Sequence, residues 1–381
     1  MTHDFIVIGA GIAGASAAYE LSKAGKVLLL EQESRPGYHT TGRSAAFFTL
    51  NYGNQIIRGL TAASRDFLLQ PPDGFTEAPL LQMHPTVTIG RADQKASFEK
   101  NLAAGVAAPG DVEPISMGEL TRMVPVLSEG YAAYAHIERD SFYMDVDLIH
   151  NGFLKGFAAR GGTLTVDAEV TGLVRQGGMW QVDTHAGHFE APVIVNAAGA
   201  WTDVVAGLAG LSPIGIEPRR RTVIIFAGPE DQSLDHMPLV IDTDEDFYFK
   251  PEAGKILASP ADETPSPPCD AQPEEIDIAI VADHVQRATT LDIRHIEHKW
   301  AGLRSFVADR TPVVGVDPAA DGFIWLAGQG GYGIMTSPAM GRAAAAIATG
   351  SEWPSDLAEW RILPADMGPD RASLAKPATV G

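Results

Sequence analysis

The chain contains very little cysteine, a deficit of basic residues and no long hydrophobic run. Its single cysteine, Cys269, excludes a disulfide network or a cysteine-based metal site within one chain. No apolar stretch approaches the roughly 18 residues of a membrane-spanning helix, and contact with a membrane surface stays open. Lys and Arg total 28 against 48 Asp and Glu, a net charge of −20. This charge repels nucleic acid, so we expect no nucleic-acid partner.

Histidines give no convincing metal-binding spacing. His295 and His298 have the separation of a ligand pair, but we interpret both as surface residues at a strand edge and expect no metal. The first strand begins by residue 4, which leaves no room for a secretory signal peptide, and a cytoplasmic location is the default expectation. With 381 residues, 45% of them hydrophobic, the chain is long enough for two domains.

The strongest motif lies in the N-terminal stretch DFIVIGAGIAGAS. Four apolar residues lead into Gly9, Gly11 and Gly14, and a helical pattern follows. This spacing is typical of a dinucleotide-binding turn, with the phosphates at the helix N-terminus. A second apolar strand ends at Glu31, where the ribose hydroxyls of a dinucleotide need an acceptor. An ordinary βαβ unit with glycines for packing is the alternative.

Three further segments indicate ligand contact. A long polar loop contains Gly42, Arg43 and Ser44, of which Arg43 and Ser44 are candidates to bind a pyrophosphate. A buried strand, residues 193–195, ends in small residues, as parallel strands do where a ligand sits against a sheet. A glycine-rich loop, residues 328–333, opens a helix.

Two arginines and two tyrosines are candidates for binding a substrate carboxylate. Arg221 enters an apolar strand, and Arg304 also lies beside apolar residues, where an unpaired charge is costly. Tyr52 lies in a turn, where residue type alone favours a surface position, and Tyr248 lies in an alternating strand. Each guanidinium can grip a carboxylate with two hydrogen bonds. We interpret the neighbouring Arg219 and Arg220 as a solvated strand end.

The segments PGYHTTGRSAA, WAGLRSF and GQGGYGI, together with the glycine motif, resemble the D-amino-acid oxidase/glycine oxidase superfamily of FAD enzymes. Within it, they are most similar to bacterial D-arginine dehydrogenases. The resemblance implies an α/β fold, with a discontinuous Rossmann-like FAD-binding domain and an inserted α+β substrate domain on a mainly antiparallel sheet. We place the FAD domain at residues 1–80, 140–215 and 300–360, the substrate domain at 81–139 and 216–299, and a poorly ordered tail at 361–381.

The same resemblance assigns residue roles. Tyr52, as a lid residue, joins Arg221, Tyr248 and Arg304 as the catalytic set, and Phe47, Thr86, Gly331 and Met335 line the substrate pocket. The implied FAD contacts are Gly9, Gly11, Ile12, Gly14, Glu31, Gln32, Gly42, Arg43, Ser44, Ala45, Val170, Ala198, Gly199, Trp201, Gly302, Gly328, Gly330, Gly331, Tyr332, Gly333 and Ile334.

These assignments imply oxidative deamination of D-amino acids to 2-imino and 2-oxo acids. With the carboxylate fixed, the Cα hydride is aimed at flavin N5, and no strong protein base is required. The backbone carbonyl of Gly331 is a candidate to hold the amine. The electron acceptor is expected to be a quinone or another carrier.

Three positions depart from the D-arginine dehydrogenases. Thr86 replaces an acidic residue, Phe47 a histidine and Met335 a glutamine. A guanidinium substrate would therefore lack a counter-ion, so we expect neutral or apolar D-amino acids to be preferred over D-arginine. Phe47 offers no nitrogen for a covalent flavin bond, and no cysteine lies near Arg304, so FAD is expected to be held non-covalently.

Other functions stay open at this point. The scaffold also suits an oxidase that uses O2 on glycine, sarcosine or D-proline, and a 2-hydroxyacid dehydrogenase. A flavin-binding redox module without catalysis is the alternative from another class.

Overall fold

The computed structural model describes residues 2–108, 110–230 and 233–374. Within these ranges the helices are α1 Ile12–Leu21, α2 Gln55–Leu69, α3 Lys95–Val106, α4 Met117–Met123, α5 Val146–Ala159, α6 Thr202–Leu208, α7 Glu275–Ala288, α8 Gly333–Thr349, α9 Ser355–Glu359 and α10 Pro364–Met367. The strands are β1 Phe5–Ile8, β2 Val27–Leu30, β3 Phe47–Phe48, β4 Leu81–Met83, β5 Thr86–Gly90, β6 Val112–Pro114, β7 Tyr134–Glu138, β8 Phe142–Met144, β9 Thr163–Thr165, β10 Val170–Gln176, β11 Met179–Thr184, β12 Gly187–Ala191, β13 Val193–Asn196, β14 Glu217–Ala227, β15 Leu239–Asp242, β16 Tyr248–Glu252, β17 Lys255–Ser259, β18 Thr264–Pro265, β19 His298–Phe306, β20 Val313–Asp317 and β21 Ala320–Ala327.

The first sheet has the order β20-β21-β13-β1-β2-β9. Its strands run parallel except for the antiparallel pair β20 and β21. Every residue of β1 and β2 is buried, as expected for central parallel strands that are covered on both faces. The predicted Rossmann-like, mixed α/β fold class is confirmed.

Helix α1 packs tightly between this sheet and α8 because small residues face the contacts. A Cβ atom on Gly14 would lie 1.8 Å from the carbonyl oxygen of Gly9, and one on Gly341 would lie 2.8 Å from that of Ser16. Gly9 itself has φ +98°, a conformation that favours glycine. These contacts fix the position of the α1 N-terminus at the end of β1.

The second sheet has the order β18-β14-β17-β16-β15-β5-β7-β6, and β19 pairs with β14. It is antiparallel except where β15 meets β5. One face buries apolar residues such as Ile224, Phe249 and Ile137 in a core that includes Val281 and Val285 of α7. Because side chains alternate along each strand, the residues between them project to the opposite face.

The sheets only partly follow the predicted domain limits, which remain a prediction. Strand β19 begins at His298 and ends at Phe306, so it crosses the limit set at residue 300 while it stays paired with β14. Two three-stranded sheets, β10-β11-β12 and β3-β8-β4, complete the strand set of the described ranges.

The predicted tail needs correction as far as the structure describes it. Ile362 and Met367 are 1% and 0% exposed and pack in the same core as β1, next to Leu357 of α9. The segment is polar and proline-rich on average, and this composition concealed the few apolar side chains that pack in the core. The part of the predicted tail from residue 375 onward lies outside the described residues.

Arg220 also differs from the prediction of a solvated strand end. Its side chain is 9% exposed and pairs with Glu274 and with Asp277, the latter at 2.9 Å. Glu274 precedes α7 and Asp277 lies in its first turn. The sequence did not show that this helix packs against β14. Arg220 is therefore part of the contact between α7 and the second sheet.

The glycine contact at the start of α1 gives a testable prediction. We expect Gly14→Ala to destabilise the protein by about 1–3 kcal/mol or more, because the methyl group would collide with backbone. The matched control is Gly207→Ala in α6, where a Cβ would meet no atom within 4 Å, and where alanine should stabilise by about 0.5–1 kcal/mol. Urea unfolding of both variants measures the difference, and equal stabilities would contradict the packing argument.

Candidate active site

A groove runs along the carboxyl ends of β1 and β13 and continues to the second sheet. Its floor is backbone, from Gly9 and Gly11 at one side to Ala198 and Gly199 at the other. A Cβ at Gly9 would lie 2.6 Å from the carbonyl oxygen of Ala197, so only glycine allows these two turns to approach each other. The groove is thus a narrow cradle at the carboxyl ends of parallel strands, where dinucleotides bind in such folds.

Unfilled hydrogen-bonding groups face this groove. Helices α1 and α8 both begin at it, and neither Gly11 nor Tyr332 caps its helix with a side chain. The Nε2 atom of Gln329 is buried and makes no hydrogen bond within the described part of the chain. The amide of Ile12 is taken by Thr41, but the other first-turn amides of α1 and α8 and the buried donor of Gln329 suit the pyrophosphate and ring of a dinucleotide, so the residues fit FAD.

Glu31 lies at the end of β2, as the sequence predicts. Its carboxylate accepts hydrogen bonds from the amides of Ala10, at 2.9 Å, and Glu33, at 3.0 Å. The residue is 8% exposed, and burial raises the pKa of the carboxyl group. A carboxylate can accept more than these two hydrogen bonds, and Glu31 borders the groove. It can therefore also accept hydrogen bonds from ribose hydroxyls.

Most of the predicted cofactor residues line this groove. Those that do are Gly9, Gly11, Ile12, Glu31, Gln32, Arg43, Ser44, Ala45, Val170, Ala198, Gly199, Trp201, Gly302, Gly330, Gly331, Gly333 and Ile334. Gly14, Gly42 and Gly328 do not, and their neighbours are backbone atoms or core side chains. Tyr332 instead lines the adjoining chamber. The sequence analysis missed Thr41, whose Oγ1 accepts a hydrogen bond of 3.0 Å from the amide of Ile12.

Arg43 lines the groove and also makes contacts that the sequence did not predict. Its guanidinium donates to the carbonyl oxygens of Ala271, at 2.9 Å, and Ala301, at 3.0 Å, and pairs with Asp270. The indole of Trp300 in turn donates to the carbonyl oxygen of Arg43. These bonds connect the polar loop to β19, and a contact of Arg43 with a pyrophosphate stays a prediction.

A second cavity, of about 760 Å³, adjoins the groove and is called the chamber below. Arg221, Tyr248 and Arg304 line both cavities, and Tyr52 lines the chamber. The structure therefore brings together all four residues predicted to be catalytic, although they come from four separate segments. The predicted substrate residues Phe47, Thr86, Gly331 and Met335 also line the chamber.

Arg221 is buried with an unsatisfied guanidinium. Its Nε donates to the carbonyl oxygen of Asp262 at 2.9 Å, while its Nη2 makes no hydrogen bond within the described ranges. Burial, followed by the charge of Arg304, lowers the pKa of Arg221. A buried donor beside a second cation is the environment in which an anionic ligand gains most.

Arg304 lies beside Gly331 of the glycine-rich loop and beside Tyr52. Its Nη1 donates to the hydroxyl of Tyr52 at 3.3 Å. A Cβ on Gly331 would lie 2.9 Å from the guanidinium carbon, so glycine is needed for this close approach. The rings of Tyr52 and Tyr332 lie 5.0 Å apart and cover the same end of the chamber.

A carboxylate that the sequence analysis missed supports the two arginines. Oε1 of Glu263 lies 3.6 Å from Nη2 of Arg221, a distance that allows attraction without a hydrogen bond. Arg310 holds Glu263 with two hydrogen bonds, of 2.6 and 2.9 Å, and its guanidinium lies over the ring of Phe306. Glu263 thus offsets part of the repulsion between Arg221 and Arg304.

The predicted loss of polarity applies to one wall of the chamber. Phe47 packs edge-on to Tyr143 with ring centroids 5.2 Å apart, and Met335 is 2% exposed in an apolar cluster. Thr86 donates its hydroxyl to Ser141 at 3.1 Å, so that group is already used. The rest of the chamber is more polar than three substitutions suggested.

The polar part extends along the second sheet from Tyr248 towards β7. Register places Tyr248, Ile241, Thr88 and His136 in one row across β16, β15, β5 and β7. Thr86 and Glu138 stand opposite each other in the next row on the same face. Two hydrogen bonds fix the Glu138 carboxylate, from the Thr49 hydroxyl at 2.6 Å and the Leu50 amide at 2.9 Å.

Within the described ranges, no group of three or more His, Cys, Asp or Glu side chains is arranged to hold a metal ion. None of the helices described there is long and apolar enough to cross a bilayer.

Nearly the whole chain resembles known proteins. The family model "DAO: FAD dependent oxidoreductase" matches residues 4–347. Glycine oxidase of Bacillus licheniformis is 24% identical over 374 residues, which cover 92% of this chain and 95% of that protein. The crystal structure of glycine oxidase from Geobacillus kaustophilus gives a TM-score of 0.82 at 21% identity, covering 92% and 95% of the two chains. L-Proline dehydrogenase from P.horikoshii gives 0.81 at 20% identity, covering 97% of each. These structural likenesses show a shared fold.

The buried Glu138 gives a prediction about stability and pH. Burial raises the pKa of its carboxyl group from 4.5 to about 7. Ionisation is therefore disfavoured by folding, and the protein loses stability as pH rises from about 4.5 towards 7, by about 3 kcal/mol at most. We expect Glu138→Gln, which keeps the size and cannot ionise, to be more stable relative to wild type at pH 8 than at pH 5.

Thermal unfolding at the two pH values measures this difference, and Glu129→Gln, at an exposed loop position, is the control. Arg58 and Asp140 also act on Glu138, with opposite signs, and both are present in wild type and variant alike. An unchanged gap between variant and wild type at pH 5 and pH 8 would rule out a buried, ionisable Glu138.

Proposed function

The chain belongs to the DAO family of FAD-dependent oxidoreductases, and we propose that it oxidises the Cα–N bond of D-amino acids. The observation that supports this most directly is the pair of arginines where groove and chamber meet. Arg221 and Arg304 both border the two cavities, and Arg221 carries an unused donor in the described structure. A carboxylate bound there lies beside the groove that suits FAD.

The four residues have separate tasks in this proposal. Arg221 and Arg304 neutralise the substrate carboxylate, and Tyr248 and Tyr52 add hydrogen bonds to it. Tyr52, which already accepts a hydrogen bond from Arg304, also closes the chamber over the bound molecule. Fixing the carboxylate leaves Cα with few orientations, and orientation is the main contribution that these residues make.

The reaction breaks the Cα–H bond and a N–H bond and forms a C=N bond. Bound FAD supplies the two-electron acceptor for the hydride. The amine loses its proton to solvent water, and in this proposal the carbonyl oxygen of Gly331, at the edge of both cavities, accepts a hydrogen bond from the nitrogen. Water then converts the 2-imino acid to a 2-oxo acid and ammonia. We propose that FAD is held without a covalent bond, since Phe47 replaces a histidine in the pocket.

Two other enzymes and one non-catalytic protein are the alternatives to a D-amino-acid dehydrogenase. An oxidase acting on glycine, sarcosine or D-proline would produce peroxide from O2, whereas a dehydrogenase would pass electrons to a quinone or another carrier. A 2-hydroxyacid dehydrogenase would accept a hydroxyl in place of the amine. A redox module without catalysis would leave the arginine pair without a ligand, which disfavours it.

An anaerobic substrate panel tests the proposal. We expect D-Leu, D-Met and D-Phe to bleach the flavin absorption and their L-enantiomers to react at least about 10-fold more slowly. D-Arg should have a lower kcat/KM than the best neutral D-amino acid, because the wall formed by Phe47 and Met335 offers no counter-ion. A highest kcat/KM for D-Arg would refute the side-chain preference, and failure of every amino and hydroxy acid to bleach the flavin would refute the reaction.

The role of Arg304 gives a second test. Arg304→Lys keeps the charge but loses the planar fork, so we expect kcat/KM to fall by about 10- to 100-fold, which corresponds to about 1.4–2.8 kcal/mol. Arg294→Lys, whose side chain is 86% exposed, is the matched control. Steady-state kinetics with the best substrate of the panel measures both, and equal activity of the two variants would remove Arg304 from the site.

A further inference from the structure

The chamber has a second polar end that the binding of a carboxylate does not use. This end, the distal subsite, consists of Asn51, Arg58, Thr88, His136 and Glu138, all of which line the chamber. His136 and Thr88 are the members of the cross-strand row that lie farthest from Tyr248. With strands about 4.8 Å apart, the backbone positions of Tyr248 and His136 are separated by roughly 14 Å.

His136 has the largest unused hydrogen-bonding capacity at this end. It is 3% exposed, yet neither ring nitrogen makes a hydrogen bond within the described ranges. Burial lowers the pKa of the imidazole to about 4, so the ring is neutral, with one donor and one acceptor nitrogen. Phe98 packs beside it at 5.4 Å between ring centroids and leaves the imidazole on the chamber wall.

Two neighbours have further unused capacity, of opposite kinds. The Oδ1 acceptor of Asn51 and the Nε donor of Arg58 are both buried without a hydrogen-bond partner in the described structure. The Arg58 guanidinium is anchored by Nη1, which donates to the carbonyl oxygen of Ala104 at 3.2 Å. A bound group therefore has to offer both donors and acceptors, since leaving a buried polar atom unsatisfied costs about 1–3 kcal/mol.

The chamber lining carries charges of both signs, with Arg58 among the cations and Glu138, Asp242 and Asp244 among the carboxylates, so hydrogen bonding rather than charge distinguishes the possible ligands. Each oxygen of the Glu138 carboxylate already accepts one hydrogen bond, one from the Thr49 hydroxyl and the other from the Leu50 amide. Both donors are neutral. The fixed positive charge of Arg58 acts on the same region and favours the ionised form of Glu138. A guanidinium or ammonium carries donors only and would leave Arg58 Nε unsatisfied, whereas a neutral amide also carries an acceptor oxygen.

We propose that the distal subsite binds the neutral, hydrogen-bonding end of the substrate side chain, a carboxamide or ureido group. Such a group carries an acceptor oxygen for Arg58 Nε and N–H donors for Asn51 Oδ1 and His136. This inference rests on the proposed function, because it takes the substrate carboxylate to lie at Arg221 and Arg304. The span across the sheet favours a side chain with three methylenes before its polar group, as in D-citrulline.

The first test compares side chains in the wild-type holoenzyme. D-Citrulline and D-arginine have the same length and differ in charge, and D-norleucine has no polar end. We expect kcat/KM for D-citrulline to exceed that for each of the other two by about 10-fold. A higher value for D-arginine, or an equal value for D-norleucine, would overturn the proposal.

The second test uses variants and the ratio of kcat/KM for D-citrulline over D-norleucine. We expect His136→Phe and, separately, Asn51→Leu to lower this ratio by about 5- to 10-fold, and the exposed His295→Phe to leave it unchanged. Two variants on different segments guard against a failure of one of them to fold. Ratios equal to wild type in both would mean that only water occupies the distal subsite, and would overturn the inference.

The third test does not depend on catalysis. Calorimetry compares the binding of 5-ureidopentanoate with that of heptanoate, two carboxylates that lack the reacting amine. Tighter binding of the ureido compound, lost in His136→Phe, supports the distal subsite even if no amino acid bleaches the flavin, a result in which the proposed reaction alone would fail. Conversely, oxidation of D-amino acids with equal binding of the two carboxylates would overturn the subsite alone.

Discussion

Two guanidiniums held near each other, one buried and one half-buried, are the constraint on which the rest of the site depends. Arg221 and Arg304 lie on β14 and β19, which are paired antiparallel with Arg221 opposite Gly302. Like charges repel strongly away from water, so each must be anchored separately. Asp262 holds one through its carbonyl oxygen, Tyr52 contacts the other, and Glu263 with Arg310 compensates between them. The site is therefore prepared for an anion before one arrives.

The sequence predicted those parts of the site that can be recognised within one short segment. The glycine turn, Glu31 at the strand end and the two arginines in apolar surroundings could be recognised from neighbouring residues alone. The fold class followed from these motifs and from the family resemblance. All four residues predicted to be catalytic line the chamber in the structure.

The distal subsite could not be predicted in this way because register creates it. His136 and Glu138 meet Thr88 and Thr86 only through the pairing of β7 with β5, and Tyr248 joins the row through β16 and β15. Spacing within one strand shows which residues share a face, but not which strands are neighbours. The partners of Arg43 and Arg220 were missed for the same reason, since Asp270 and Asp277 lie far along the chain. The C-terminal core residues were missed because composition hid their burial.

The order of the first sheet has a consequence for synthesis of the chain. Strand β1 pairs with β13, β13 pairs with β21, and α1 then packs on α8, which ends at Thr349. On the ribosome, the apolar β1 and β2 therefore emerge long before the strands and the helix that bury them. Such late, non-local pairing slows folding and exposes apolar surface to aggregation. The glycine turn is synthesised first, but it becomes a binding site only after the last strands and α8 have folded. Until then, the exposed apolar strands of the nascent N-terminal half are the kind of surface that chaperones bind.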